Sequence, residues 1–360
     1  SLLVDKSNSR VDDLIIELVR ELVVVHSDVD VILVTKDINV RVKCDALRLK
    51  CEDYLKHRVV ADMGALYKGV QTINVSSELI NKFYKENHGV IDVAEAGFDK
   101  TMFFPNQFIV VKDESKSSQS ALGRYTKYDA SIKKMIPVSD VFGLKPRNTE
   151  QKFAFDLLFD KSISLVTLVG AAGTGKTLLA VAAGVQQTIE SSLYSKLVIM
   201  RPIQPVGKDI GYLPGTLDEK MAPWIAPIMD NLKFLFNGPP NKKNDRSEND
   251  MLQLYFEHGT IEVEALTYIR GRSISNAFII IDESQNLTAH ELKTIVTRVG
   301  ENTKIVLTGD IEQIDNTYVD AMSNGLTYAV EKFKEHQLAG HVTLIKGERS
   351  ALASLAAEIL

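Results

Sequence analysis

The sequence predicts an α/β protein whose larger part is a mainly parallel β-sheet with helices on both faces. Two observations carry this prediction. Along residues 147–360, short apolar runs alternate with helical patterns, an order typical of βαβ units. A glycine-rich segment, residues 170–177, joins one of these runs to an apolar helix. The residues before 147 lack this alternation, so we expect smaller, separate domains there.

The composition is that of an ordinary globular protein. Hydrophobic residues make up 45% and charged residues 25% of the chain, and the net charge is −5. No apolar run approaches the roughly 18 residues that a membrane span needs, and no signal-peptide pattern is present. Cys44 and Cys51 are too few for a disulfide framework or a zinc site. We therefore expect a cytoplasmic protein without a membrane partner.

Residues 1–61 are predicted to be part of an α/β domain. Apolar residues at helical spacing predict a helix over 11–25, the all-apolar run 31–34 suits a buried parallel strand, and a second helix is expected over 41–49. The chain starts with Ser1 inside a pattern typical of a domain interior. We therefore expect an upstream segment to have been cut away or to lie outside this numbering.

Residues 62–146 are predicted to form a small β-rich linker domain. Runs of β-branched residues at 71–75, 89–93 and 107–111 are typical of strands, and the polar stretch 112–120 is expected to be a hairpin loop. A small sheet or barrel of the OB type fits this pattern.

Residues 147–360 are predicted to form one further domain. Its strand candidates are residues 165–169, 197–200, 261–265, 278–281 and 304–307. The polar stretch 237–250 is expected to be a surface insertion.

The glycine-rich segment matches the pattern G-x-x-x-x-G-K-[ST] in full. Its residues are Gly170, Ala171, Ala172, Gly173, Thr174, Gly175, Lys176 and Thr177. A predicted strand precedes it and an apolar helix follows, which is the context in which this pattern binds nucleotide phosphates. We expect Lys176 to reach the β- and γ-phosphates of ATP and the Thr177 hydroxyl to bind Mg²⁺. The competing interpretation is a glycine-rich turn without a ligand.

Acidic residues follow a second buried run, residues 277–281. They are Asp282 and Glu283, and ligands of parallel sheets bind at this carboxyl edge. We expect Asp282 to hold Mg²⁺ through water and Glu283 to polarise the attacking water. Gln313 follows the next apolar run and is expected to lie against the γ-phosphate. The alternative is a strand that simply ends in an acidic helix start.

Further motifs surround these two. Residues 282–286 (DESQN), 307–310 (LTGD) with Gln313, 148–151 (NTEQ) and 201–202 (RP) together resemble a superfamily 1 helicase core. Residues 206–215 (VGKDIGYLPG), 221–224 (MAPW) and 268–273 (YIRGRS) resemble, more specifically, the PhoH family of ATPases. The resemblance implies that Gln151 contacts adenine and that Arg349 is an arginine finger. It also implies a homo-oligomer, with the hexameric ring as its expected form and Arg349 supplied to a neighbouring subunit.

The N-terminal region resembles a second family. Residues 31–37 (VILVTKD), 38–43 and 52–54 are similar to the second half of a PIN nuclease domain. Such domains gather carboxylates around Mg²⁺ or Mn²⁺ to activate water against a phosphodiester. The resemblance matches Asp37 to the acidic residue after a central strand, and Asp5 is a looser match. The alternative for Asp37 is an ordinary turn residue at a strand end.

The usual opening Asp and Glu of a PIN domain are absent from this sequence. We therefore expect the chain as written to hydrolyse ATP without cleaving RNA.

The combination of these two families predicts an ATP-driven motor on RNA that feeds a PIN-type ribonuclease. It resembles the toxin-like PIN–PhoH proteins, which implies an antitoxin partner. Arg201, Lys208, Arg270 and Arg272 are candidates for RNA contacts, because loops present Arg and Lys to phosphates. Arg270 and Arg272 could instead sense nucleotide or pair with carboxylates.

Two rival functions stay open. One is an ATP-dependent remodeller of protein that uses the same core without nucleic acid. The other is an RNA-binding module in which hydrolysis only gates the interaction.

Overall fold

The structure is a computed structural model, and the chain divides into two compact units. The residues it describes are 9–35, 37–52, 59–60, 62–85, 89–115, 119–135, 138, 140–202, 217–237, 246–266, 273–316 and 318–347. The two units comprise residues 1–59 and residues 60–360. None of the helices within the described ranges is long and apolar enough to cross a membrane.

The first unit has the helix–strand–helix order expected from its sequence. Its elements are α1 (Ser9–Val25), β1 (Leu33–Val34), α2 (Ile38–Ala46) and β2 (Cys51–Glu52). The two short strands are parallel, with Leu33 opposite Cys51. The start predicted for α2 was wrong by three residues, because Asp37 caps the helix: its Oδ1 accepts a hydrogen bond from the Asn39 N–H at 2.8 Å.

The core of this unit is small, and one stripe of α1 is exposed. Among its described residues, Ile16, Val40 and Cys44 form the buried cluster. Val11, Leu14 and Leu18 follow one another at helical spacing, and more than half of each side chain is exposed. The helical periodicity of α1 is thus confirmed, although much of its apolar face is open to solvent.

The second unit begins with a mixed β-sheet. Its elements are β3 (Val70–Val75), α3 (Ser77–Lys85), β4 (Val90–Asp92), β5 (Phe108–Asp113), β6 (Ser120–Thr126) and β7 (Ser131–Lys134). The described strands have the order β3-β5-β6-β7-β4, in which only β3 and β5 are parallel neighbours. The three predicted strands are confirmed, and the polar stretch after β5 does connect an antiparallel pair.

A parallel sheet forms the larger part of the second unit. Its strands are β8 (Leu165–Gly170), β9 (Lys196–Arg201), β10 (Ile261–Ala265), β11 (Ala277–Ile281), β12 (Lys304–Gly309) and β13 (Ala339–Leu344). They are all parallel, in the order β10-β9-β11-β12-β8-β13 within the described residues. The five predicted strands are confirmed, and β13 is an additional strand at the edge.

Helices cover both faces of this sheet, as the sequence predicts. They are α4 (Thr149–Phe159), α5 (Lys176–Val185), α6 (Leu217–Asn237), α7 (Arg246–Glu257), α8 (Ala289–Val296) and α9 (Gly325–Phe333). Alternate residues of β8 enter two different cores: Val166 packs with residues of α4–α7, and Leu165 with residues of α8 and α9. The sheet is therefore the middle layer of three.

Polar and aromatic contacts join the two sheets within residues 60–360. Phe108 of β5 stacks on Phe153 of α4, with ring centroids 4.2 Å apart. Arg124 of β6 pairs with Asp156 at 3.2 Å and also with Asp160, at the end of α4. The β-rich part is thus packed directly against the first helix of the larger sheet.

Lys304, the first residue of β12, lies buried behind that junction. Its Nζ donates to the carbonyl oxygens of Leu157 and Asp160, at 2.9 and 2.7 Å, where α4 ends. Only 1% of the residue is exposed. Burial lowers the pKa of Lys304 to about 7, although Asp160 opposes that change.

We expect the stability difference between the wild type and Lys304→Met to depend on pH. Between about pH 7 and pH 10 the unfolded chain keeps the lysine proton, whereas the folded protein has lost it. The wild type should therefore gain stability over the variant as pH rises, by at most about 1.4 kcal/mol per pH unit. Urea unfolding at pH 7 and pH 9 measures this, with Lys161→Met as the exposed-lysine control. A difference that does not change with pH would contradict the buried, deprotonated lysine.

Candidate functional site

The loop between β8 and α5 is shaped by glycines. Gly173 and Gly175 have φ angles of 81° and 92°, in the left-handed region that other residues rarely adopt. Gly175 immediately precedes α5, so the first backbone N–H groups of that helix are directed into the loop. The predicted strand–loop–helix context is therefore present, with the positive end of a helix facing the hollow of the loop.

Lys176 is folded over the same loop. Its Nζ donates to the carbonyl oxygens of Gly170 and Ala171, at 2.6 and 2.9 Å. Only 8% of the residue is exposed. The ammonium group is thus hydrogen-bonded to the backbone of the glycine loop, where it can bind an anion that enters the loop.

Asp282 joins the start of α5 to the sheet. The hydroxyl groups of Thr177 and Thr308 both donate to its Oδ1, at 2.7 and 2.6 Å. Asp282 is 4% exposed and Thr308 is fully buried. A carboxylate beside a threonine hydroxyl is a set of hard oxygen ligands, and such a set fits Mg²⁺.

Glu283 follows Asp282 in the chain, but its side chain contacts different residues. Its backbone is left-handed, with φ 53°, a conformation that a strand residue does not adopt. Its Oε1 lies 3.4 Å from the guanidinium of Arg201, and its Oε2 accepts a 2.6 Å hydrogen bond from Gln285 Nε2. Both carboxylate oxygens are therefore held by protein donors.

Gln285 is a site residue to which the sequence analysis gave no role. It is fully buried. Besides Glu283, its Nε2 donates to the Gln313 carbonyl at 2.8 Å, and its Oε1 accepts from the Asp310 N–H at 3.1 Å. Its position inside the DESQN motif was the one feature of the sequence that could have indicated a role in the site. Gln285 thus connects the segments that follow β11 and β12.

The segment after β12 also touches the glycine loop. Asp310 Oδ2 accepts a hydrogen bond from the Ala172 N–H at 3.1 Å. Gln313 lines the same cavity as Lys176 and Glu283. The ends of β8, β11 and β12 therefore converge around one space, as the parallel topology requires.

Gln151 also lines this cavity. Its Nε2 donates to the Thr174 carbonyl at 3.2 Å, and its Oε1 accepts from the Arg147 N–H at 2.8 Å. The side chain is 5% exposed. Gln151 therefore fixes the glycine loop against the segment that precedes α4.

The cavity has a volume of about 410 Å³, within the range of small-molecule sites. Its lining also includes four residues that lie in none of the motifs described above: Leu144, Lys145, Asn231 and Phe234. They come from the segment before α4 and from α6, and no local pattern marks them. Leu144 and Phe234 add apolar surface to the lining.

The predicted metal ligand Asp37 is described in the other unit. Its carboxylate accepts hydrogen bonds from the N–H groups of Asn39 and Val40, at 2.8 and 3.4 Å, as a helix cap. Among the described residues, no three His, Cys, Asp or Glu side chains are grouped as metal ligands. A nuclease role for Asp37 stays a prediction.

Several predicted residues fall outside the described part of the chain. They are Asp5, Lys208, Arg270, Arg272 and Arg349. Of the candidates for RNA contacts, Arg201 is described, and it lies at the carboxyl end of β9, next to Glu283.

Comparison with known families agrees with this geometry. A family model described as PhoH-like protein matches residues 143–359, well over half of the chain. The chain belongs to the PhoH family. A second model, described as PIN domain, matches residues 2–55, so both resemblances predicted from the sequence are confirmed.

Curated relatives of this PhoH-family chain include two proteins named Protein PhoH2. The one from Bacillus subtilis is 51% identical over 92% of this chain and 72% of its own length. The one from Thermobispora bispora is 36% identical over 92% of this chain and 70% of its own length. Among solved structures, the Pif1 helicase from Candida albicans aligns at 16% identity and a TM-score of 0.32, over 60% of this chain and 43% of that one. That last likeness is too low to support an inference.

The family and the fold together establish the general class of the protein. The parallel sheet and the complete glycine loop both lie within the residues that match the PhoH-like family model. The protein is therefore a PhoH-like P-loop ATPase. A PIN-type region precedes this part in the chain.

We expect Thr308→Val to destabilise the fold and to raise the Mg²⁺ concentration that ATP hydrolysis needs. The change keeps the shape of the side chain but removes a hydroxyl that donates to a buried carboxylate. The free energy of unfolding should fall by about 1.5–3 kcal/mol, and ATP hydrolysis should need more Mg²⁺ for half-maximal rate. Urea unfolding and a Mg²⁺ titration measure these effects.

Thr308→Ser is the matched control for that variant. It keeps the hydroxyl and loses one buried methyl group, worth about 0.8 kcal/mol, and its Mg²⁺ requirement should be that of the wild type. Equal Mg²⁺ requirements for the two variants would show that the Thr308 hydroxyl does not orient Asp282.

Proposed function

We propose that the protein hydrolyses ATP with Mg²⁺ and couples this reaction to the binding and the unwinding or translocation of RNA, which it feeds to a PIN-type ribonuclease module. The observation that carries the ATPase part is the convergence of Lys176, Asp282 and Glu283 on one cavity beside a glycine loop. In this proposal, residues 147–360 form the motor domain, 62–146 a packed β-rich linker domain and 1–61 the PIN-type region.

ATP binds with its phosphates in the loop of residues 170–177. The backbone N–H groups there and the Lys176 ammonium offset the charge of the β- and γ-phosphates. The Thr177 hydroxyl and Asp282 hold Mg²⁺, which stabilises the charge that develops on the phosphates during transfer. The hydroxyl–carboxylate contact at 2.7 Å supports this assignment, because both groups present oxygen to the same point.

Glu283 orients and polarises the attacking water. Its proximity to Asp282 and its place in the cavity support this role. Gln285 is a positioning residue, since its hydrogen bond to Oε2 of Glu283 limits the directions that the carboxylate can take. Gln313 lines the same cavity, and its proposed role is to contact the γ-phosphate.

The adenine base occupies the end of the cavity beside Gln151. Leu144 and Phe234 are apolar residues of the same cavity, and apolar surface suits the faces of a purine ring. The Gln151 amide then exchanges one of its present hydrogen bonds for one to the base.

RNA binds at the same edge of the sheet, in contact with Arg201. An arginine at a strand end is well placed to bind a phosphate of the backbone. Lys208, Arg270 and Arg272 are proposed as further contacts from the sequence alone.

The family resemblance is what supports the remaining parts of the proposal. These are a hexameric ring in which Arg349 completes a neighbouring ATP site, and an antitoxin partner. Cleavage of RNA that depends on Mg²⁺ or Mn²⁺, with Asp37 and Asp5 among the ligands, is proposed only for a PIN-type module that also carries the acidic residues absent from this sequence.

We expect Glu283→Gln to separate ATP binding from turnover. The amide keeps the size of the side chain but cannot accept a proton from water, so kcat should fall by roughly 10²–10⁴ while ATP affinity is retained. Calorimetric titration and steady-state hydrolysis measure the two quantities. Lys176→Ala is the comparison, and it should lose affinity as well as turnover. Normal hydrolysis by Glu283→Gln would refute the role of this residue.

We expect single-stranded RNA to increase the rate of ATP hydrolysis. The effect should weaken with rising salt, because phosphate contacts release counterions. The test measures kcat with and without polyuridylate at low and at high salt, beside unwinding of a tailed RNA duplex. Stimulation by an unfolded polypeptide and not by RNA would favour a protein remodeller. Stimulation without unwinding would favour a gated RNA-binding module.

A further inference from the structure

The Glu283 carboxylate is restrained by two donors of different kinds. Gln285 is fully buried and has three hydrogen bonds, to Glu283, to the Gln313 carbonyl and from the Asp310 N–H. Arg201 holds the other carboxylate oxygen at 3.4 Å. An oxygen that already accepts from a protein donor is less available to a water molecule. The arrangement therefore restrains the group that should orient the nucleophile.

The two donors differ in how easily they can be displaced. Gln285 could leave only by giving up contacts in the interior, and each such loss is costly. The Arg201 side chain is 23% exposed, and its second described contact is to a backbone carbonyl, that of Trp224, at 3.3 Å. A partly exposed ion pair is weak, and a competing anion can take the guanidinium.

The chemistry of the competitor follows from the guanidinium itself. Arg201 presents a planar fork of donors, which binds the paired oxygens of a phosphate better than a single carboxylate oxygen at 3.4 Å. A phosphodiester of an RNA strand that reaches the end of β9 would therefore bind Arg201 in place of Glu283.

We propose that Arg201 is a latch on Glu283, and that a backbone phosphate of bound RNA opens it. In the absence of RNA, Arg201 keeps Oε1 of Glu283 occupied and hydrolysis is slow. When a phosphate takes the guanidinium, Oε1 becomes free to accept a hydrogen bond from the attacking water, while Gln285 still fixes Oε2. This inference rests on the proposed function, since it assigns RNA stimulation to one side chain.

The chain offers a matched control on the same strand. Lys196 begins β9, at the opposite end from Arg201, and pairs with Glu262 at 2.9 Å. Its side chain is 24% exposed, close to the 23% of Arg201. Lys196→Gln and Arg201→Gln therefore each remove one partly exposed ion pair of β9. Of the two, Arg201→Gln removes the pair that contains Glu283.

The experiment measures kcat and KM for ATP with and without polyuridylate in both variants and the wild type. Arg201→Gln should raise the basal kcat roughly two- to fivefold, the factor that corresponds to a partly exposed ion pair, with KM little changed. Its stimulation by polyuridylate should fall towards one. Lys196→Gln should behave as the wild type. The double variant Arg201→Gln with Glu283→Gln should be as slow as Glu283→Gln alone, because the gain acts through Glu283.

Other outcomes would overturn the latch. A lower basal kcat in Arg201→Gln would show that Arg201 assists hydrolysis, and an unchanged basal kcat with full stimulation would show that it does not restrain Glu283. The same rise in Lys196→Gln would show a non-specific effect of loosening β9. A wild type that polyuridylate does not stimulate would refute the proposed function and the release step. In that case the basal rate of Arg201→Gln would still decide whether Arg201 restrains Glu283.

Discussion

Asp282 is buried at the end of β11, and a buried carboxylate is tolerated only where donors compensate for the water it has lost. Here the hydroxyl groups of Thr177 and Thr308 compensate for it, and both reach the same oxygen. Thr177 belongs to α5 and Thr308 to β12, so this one carboxylate fixes the helix after the glycine loop and two strands relative to each other. The same oxygens are the ones proposed to hold Mg²⁺, because the Thr177 hydroxyl and the Asp282 carboxylate lie within hydrogen-bond distance of each other.

β8, β11 and β12 could be predicted because they are largely apolar runs buried on both faces. β10 could be predicted because its apolar residues alternate with glutamates. β13 could not, since Gly340 and His341 interrupt its apolar pattern. The structure explains both residues. A Cβ at Gly340 would lie 2.6 Å from a side-chain carbon of Leu157, so a larger residue there would require the buried Leu157 side chain of α4 to move. His341 is buried and hydrogen-bonded to the Thr167 hydroxyl at 2.8 Å, and burial lowers its pKa to about 3, so it stays neutral in the interior.

In the β-rich part, β6 is likewise a strand that could not be predicted from its local sequence. Its inward residues include Ala121 and Tyr125, and its small residues lack the β-branched side chains that mark a strand locally. Pairing with β5 on one side and β7 on the other supplies the hydrogen bonds that make it a strand. A single sequence does not display such pairings.

Site residues divide in a similar way. The glycine loop and the Asp282–Glu283 pair could be predicted because their chemistry is contained in contiguous residues. The role of Gln285 could not, because its partners Asp310 and Gln313 lie 25 and 28 positions away. Arg201 is 82 positions from Glu283, and only the order of the strands, with β9 next to β11, brings the two together.

That strand order also separates the rigid part of the site from its adjustable part. The groups proposed to hold Mg²⁺ depend on contacts with Thr308 and with the sheet interior, which solvent does not reach. The group proposed to orient water is held on one side by buried Gln285 and on the other by Arg201, which solvent does reach. A ligand that binds at the sheet edge can therefore alter the water-orienting group without disturbing the metal ligands. Since ATP binding relies on the loop and the metal, and hydrolysis also on Glu283, such a ligand would act on kcat more than on KM.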